Sequence, residues 1–134
     1  MSQPKLKLNV LVVDDNASDR LVAKAMLAKA GLRSVQEAED GSIAEKKILT
    51  ALEIGKPFEL ILLDWKMPRG NGISILEMIR TNAKLKNTKV LMVTGLADPK
   101  LVKEAKQLNV DGFLVKPLTS ASLDEKIQKL FNVG

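Results

Sequence analysis

Cysteine and histidine are both absent from this 134-residue chain, and together the two absences exclude a good deal of chemistry. Without Cys there is no disulfide and no thiolate metal site. Without His there is no Ser-His-Asp or Cys-His nucleophile and none of the common zinc centres. A metal held here must take oxygen ligands, which points to Mg²⁺, Mn²⁺ or Ca²⁺. Aromatics are scarce, with one Trp, three Phe and no Tyr. Positive charge dominates, with 21 basic against 16 acidic residues and a net charge of +5. The lysines are nevertheless spread over helix-like segments with no aromatic interleaving and no arginine cluster. Such runs are solvated helix faces, so no direct nucleic-acid contact is expected. The longest apolar runs, Val10–Val13 and Leu60–Leu63, are far too short to span a bilayer. No apolar stretch of a signal peptide follows Met1-Ser2-Gln3-Pro4-Lys5. A cytoplasmic protein without membrane insertion is the expectation.

The length predicts one domain over 1–134, with a core over about 7–131. Short β-like runs alternate with amphipathic stretches five times. The candidate strands are Leu8–Val13, Val35–Ala38, Leu60–Leu63, Val90–Val93 and Gly112–Val115. The first, third and fourth are nearly continuous apolar runs, as strands covered on both faces require. Val35-Gln36-Glu37-Ala38 is short and half polar, which suits a sheet edge. A helix is predicted over Ser18–Ala30, with Leu21, Ala25 and Ala28 on its apolar face and Gly31 as a stop. Ser42–Leu52 and Ile73–Arg80 follow the same logic, the latter burying Ile75, Leu76 and Ile79. Asp98-Pro99 reads as a cap and first turn of a helix to Leu108. Thr119 or Ser122 caps the last helix, and Ser122 with Glu125 fits a capping box. Five βα repeats predict a doubly wound α/β fold, a parallel five-stranded sheet with helices on both faces.

In open parallel sheets ligands bind beyond the carboxyl ends of the strands. The residues at those ends are Asp14-Asp15, Asp64, Thr94 and Lys116. Each alone has a bland reading: Asp as a turn former, Thr as a strand-end residue, Lys as a solvated loop side chain. Jointly they put three carboxylates, a hydroxyl and an ammonium at one edge of one sheet. Two carboxylates about 4 Å apart repel by roughly 4 kcal/mol at an effective dielectric near 20. Three without a cation would raise a pKa or spread the loops. A hard divalent ion with oxygen ligands relieves this, and Lys116 adds a positive charge for an anion.

These motifs, Leu-Val-Val-Asp14-Asp15-Asn, Leu-Ile-Leu-Leu-Asp64-Trp-Lys-Met-Pro68 with Gly72, Val-Thr94-Gly95 and Phe113-Leu-Val-Lys116-Pro117, resemble those of response-regulator receiver domains. The chain resembles that family over essentially its whole length, most of all the single-domain chemotaxis regulators. The resemblance implies a flavodoxin-like (βα)5 sheet in strand order 2-1-3-4-5. It implies Asp64 as the phosphoacceptor, taking its phosphoryl group from a sensor histidine kinase. Asp14, Asp15, Asp64 and the backbone carbonyl of Lys66 would hold Mg²⁺, or Mn²⁺ in its place. Lys116 and Thr94 would bind phosphoryl oxygens, with Gly95 leaving access. Phe113 would be the switch aromatic, and Pro117 would follow a cis peptide bond.

Two positions depart from the chemotaxis regulators. Lys66 stands where Asn is common, making it a candidate modulator of phosphoryl lifetime. Phe113 replaces Tyr, so the switch aromatic has no hydroxyl. With no effector domain expected, output would pass to a downstream protein through the face of the fourth helix, fifth strand and fifth helix, where Lys100, Lys103 and Lys106 recur. The protein would be a monomer or a weak dimer. It would be a switch that catalyses only its own phosphorylation and dephosphorylation, not an enzyme with an external substrate. A phosphorelay shuttle to a histidine phosphotransfer protein uses the same pocket, and a phosphorylation-independent interaction module shares the fold. A haloacid-dehalogenase phosphatase needs an acid at Lys66, and a nucleotide-binding domain needs a glycine-rich phosphate loop that is missing.

Overall fold

A computed structural model of the chain describes residues 7–65, 72–95 and 99–131. The strands are β1 (Asn9–Val13), β2 (Ser34–Ala38), β3 (Leu60–Asp64), β4 (Lys89–Thr94) and β5 (Gly112–Val115). They alternate with α1 (Ala17–Lys29), α2 (Gly41–Glu53), α3 (Gly72–Thr81), α4 (Pro99–Gln107) and α5 (Ser120–Phe131). A short 3₁₀ turn at Ala83–Leu85, absent from the sequence reading, precedes β4. All pairings are parallel and the strand order is β2-β1-β3-β4-β5, the flavodoxin-like order.

Successive side chains on a strand point to opposite faces, and here they divide into two cores. Leu11, Val13, Ile61, Leu63, Val90 and Met92 pack with Ile48, Ile75, Leu76, Ile79 and Ala105 from α2, α3 and α4. Their neighbours Val10, Val12, Leu60, Leu62, Leu91 and Val93 pack with Ala23, Leu27, Leu123 and Ile127 from α1 and α5. The central strands are apolar except at their end residues, because each must feed both cores. β2 alternates exposed and half-buried positions, as its place at the edge allows.

One sequence expectation for the helices is corrected, and one left open between two residues is decided. The buried face of α1 is Ala23 and Leu27, while Leu21 is 68% exposed and Ala25 is also exposed. Apolar residues surround this helix, so spacing alone did not select the stripe that faces the sheet. In α5, Thr119 rather than Ser122 is the cap. The Ser122 N–H donates to Thr119 Oγ1 at 3.1 Å, which places Ser122 inside the helix. Asn16 and Asp40 cap α1 and α2, accepting from the N–H of Asp19 and Ile43, and Gly31 terminates α1 at φ +93°.

Candidate functional site

Strand register brings the predicted residues to one edge. Val13 pairs with Leu63, so Asp14 and Asp64 leave adjacent strands side by side. Asp64 is level with Val93, and Thr94 with Val115, which puts Thr94 and Lys116 one step beyond. One carboxylate oxygen from each of Asp14, Asp15 and Asp64 lies within 4.8 Å of the other two. Asp14 and Asp64 are buried and Asp15 is exposed at the rim.

The Asp14 backbone is held from both sides. Its N–H donates to Ala38 O at 3.1 Å, and its carbonyl accepts from Arg20 Nη1 at 2.6 Å. Arg20 in turn pairs with Glu37 of β2 at 2.9 Å. One side-chain oxygen, Oδ1, accepts from the Asn16 N–H at 2.9 Å, leaving Oδ2 for the pocket. Beyond β3, the Trp65 N–H donates to Val93 O, and the Gly72 N–H to Trp65 O at 3.0 Å. The Lys116 N–H donates to Thr94 O at 2.8 Å, and the Lys116–Pro117 peptide is cis.

Lys116 reaches across the pocket. Its Nζ lies 2.8 Å from Asp14 Oδ2, 3.0 Å from Asp19 Oδ2 and 3.6 Å from Asp64 Oδ2. Burial works against the ammonium, but its bonds to Asp14 and Asp19 outweigh that and raise its pKa. Asp64 is pushed the other way for an acid. Burial first, then the Asp14 charge, raise its pKa to about 6 against the pull of Lys116. Thr94 is buried at the end of β4, and Gly95 is exposed with open space where a side chain would stand. Phe113 is half-buried, its ring centroid 6.3 Å from that of the buried Trp65. Lys66, whose carbonyl completes the expected metal set, lies outside the described residues, as do Pro68 and Asp98.

Sequence reasoning missed two residues of the site. Arg20 secures the Asp14 backbone and Asp19 shares Lys116. Both lie on the first turns of α1, directly after the Asp14-Asp15 pair, and that position was the available signal.

A raised carboxyl pKa is a stability cost above it. The folded state's advantage from a neutral Asp64 is complete below the unfolded-state pKa near 3.9 and is lost as pH climbs through about 6. Metal-free Asp64→Asn is therefore expected to be more stable than the parent at pH 7.5 by about 1–3 kcal/mol, with the gain gone near pH 4. Urea unfolding in EDTA at both pH values measures it, and equal stability at pH 7.5 contradicts this account of the pocket.

The donor set fits a hard cation: three carboxylates converge, the sequence has no His or Cys to offer nitrogen or sulfur, and Asp64 lies buried among negative charge. A family model described as response regulator receiver domain matches residues 10–128. The chain is 40% identical over 126 residues to chemotaxis protein CheY-3 of Vibrio cholerae, covering 92% of each. It is 39% identical over 124 residues to chemotaxis protein CheY of Pseudomonas aeruginosa, covering 92% of this chain and 96% of the relative. The solved structure of chemotaxis response regulator CheY4 of Vibrio cholerae superposes with a TM-score of 0.81 at 31% identity, over 93% of this chain and 99% of that one.

Proposed function

This chain belongs to the response regulator receiver domain family, and from that membership we propose that it is a phosphorylation-controlled protein switch with Asp64 as the phosphoacceptor. The observation that carries the reading is the placement of Asp64: buried at the end of a central strand, among acids, with one ammonium 3.6 Å away. A carboxylate so placed is a nucleophile for phosphorus. An Asp64 oxygen forms the new P–O bond to a kinase phosphohistidine, the P–N bond breaks, and its electron pair stays on the imidazole nitrogen.

Charge decides how such a reaction proceeds. The phosphoryl group arrives at a pocket already rich in carboxylates, so its oxygens need cations before they can approach. Lys116 is one, and it works by position and charge without giving up a proton. Asp14, Asp15 and Asp64 would hold Mg²⁺, which supplies further neutralisation of phosphoryl oxygens when bound. Thr94 offers a hydroxyl to a phosphoryl oxygen, and the missing side chain at Gly95 leaves the approach open.

Phe113 links pocket to output. It follows Gly112 on the edge strand β5 and packs near Trp65, the residue after the acceptor. A shift of Thr94 toward a phosphoryl group changes the packing available to Phe113, and so the α4–β5–α5 face. Lys100, Lys103 and Lys106 lie exposed on α4, which suits a target with an acidic patch. The sensor histidine kinase is the proposed donor, and the output is a change of protein partner in the manner of chemotaxis regulators. Among the described residues no helix is long and apolar enough to cross a membrane.

Beryllofluoride, a stable mimic of the phosphoryl group, tests the switch. With Mg²⁺ it is expected to change Trp65 fluorescence in the wild type and to leave Asp64→Asn unchanged. A folded wild type that gives no response, or a response that survives Asp64→Asn, sinks the reading.

A further inference from the structure

Asp19 has no part in the reading above, yet it shares the one ammonium that lies within ion-pair distance of Asp64 among the described residues. A lysine ammonium has three N–H donors. Two of them are engaged by Asp14 at 2.8 Å and Asp19 at 3.0 Å, and the 3.6 Å gap to Asp64 exceeds a good hydrogen bond. The two engaged carboxylates are not equivalent. Asp14 lies in the pocket, its side chain 7% exposed, so a lysine bonded to it stays beside Asp64. Asp19 stands on the first turn of α1 with its side chain 45% exposed, and draws the ammonium outward. Asn16 fixes this turn by accepting from the Asp19 backbone N–H at 2.9 Å, so the backbone that carries Asp19 is placed independently of Lys116.

Resting on the assignment of Asp64 as phosphoacceptor, we propose that Asp19 is a positioning residue that retains Lys116 on the α1 side of the pocket and thereby slows loading of Asp64. Transfer needs the ammonium on the phosphoryl oxygens, and only the fraction of molecules in which it has left Asp19 is competent. The observed rate is reduced by that fraction, as for any minor competent state. A partly exposed ion pair is modest in strength, so the restraint is a brake and not a block. No proton moves in this role. Asp64 attacks the phosphorus of the donor, the bond from phosphorus to the leaving oxygen breaks, and acetate departs with the electron pair when acetyl phosphate is used.

The test is a double-mutant cycle on the rate of Mg²⁺-dependent phosphorylation by acetyl phosphate, read by intact mass, in the wild type, Asp19→Asn, Lys116→Met and the double variant. Asparagine keeps the shape of the side chain and removes its charge. Asp19→Asn is expected to load about three- to tenfold faster than the wild type. In the Lys116→Met background the same substitution should change the rate less than twofold, because there is no ammonium to release. An Asp19→Asn rate equal to or below the wild type overturns the proposal. So does an equal gain with and without Lys116, which would make Asp19 a simple repulsive charge on the donor. A metal-free measurement reads the restraint itself: the Lys116 ammonium signal in ¹⁵N NMR should lose protection from water exchange in Asp19→Asn, and an unchanged signal overturns the proposal. A wild type that takes up no phosphoryl group at all would instead remove the assignment of Asp64.

Discussion

Replacing Lys116 with methionine is expected to slow phosphoryl transfer from a small donor to Asp64 by about 10²–10³-fold, the usual cost of losing one preorganised charge at a reacting oxyanion. Methionine keeps much of the length and the apolar stem, so the change isolates the ammonium. Lys116 is the sole described cation within 4.0 Å of Asp64, and it also faces the more deeply buried Asp14. Because its pKa is raised above the ordinary lysine value, it stays charged from pH 6 to 9. The defect should therefore be flat at the alkaline end of that range and deepen toward pH 6, where Asp64 has lost the charge that held its pKa down. Removing one partner of a buried pair strands the other charge. With a quarter of the lysine exposed, about 2 kcal/mol of stability should be lost in metal-free protein at pH 7.5, less than the 3–5 kcal/mol of a fully buried pair. A rate within threefold of the parent, with the fold intact, contradicts the role given to Lys116.

Gly72→Ala is the second large effect, and here two tendencies oppose each other. Alanine is the better helix former by up to about 1 kcal/mol, and Gly72 opens α3. Yet a Cβ there would stand 2.7 Å from the Asp64 carbonyl oxygen, 3.1 Å from Met92 Cε and 3.3 Å from Trp65 Cα. The methionine can yield, but the two backbone atoms cannot yield alone. Trp65 is tied to Val93 by a sheet bond, and Gly72 is tied to Trp65. Either the end of β3 moves, taking Asp64 with it, or α3 lifts off the sheet. Overpacking of this kind costs typically 1–3 kcal/mol, and the backbone contact puts this site at the upper end. A net loss of about 2–3 kcal/mol is expected after the helix gain, together with a slower transfer rate. Thermal unfolding and the acetyl phosphate assay read the two effects, and an alanine variant as stable as the parent refutes the steric argument.

The fold was legible where one physical demand dominated. β1, β3 and β4 must be apolar on both faces, and their runs were found within one residue at either end. The strand ends followed, and with them Asp14, Asp15, Asp64, Thr94 and Lys116 as neighbours. Legibility failed where several patterns were equally apolar. In α1, Leu21 and Ala25 look as buriable as Ala23 and Leu27, and only the docking of the helix on the sheet decides between them. It failed again where a contact joins distant segments. The place of Asp19 just after the Asp14-Asp15 pair hints at the site, but nothing local names its partner, a lysine 97 residues away, or marks Trp65 as fully covered at 2% exposure. Thr119 and Ser122 both carried cap chemistry, and the turn leaving β5 selected the first.

The role of Asp64 is tested most directly by where a phosphoryl group goes. Purified protein is treated with acetyl phosphate with and without Mg²⁺, then reduced with borohydride to trap an acyl phosphate and mapped by peptide mass. The account predicts one phosphoryl equivalent in Mg²⁺, a reductive mark on Asp64 alone, and no gain in Asp64→Asn or in EDTA. A folded, Mg²⁺-treated wild type that gains no mass, or one marked at a residue other than Asp64, contradicts it.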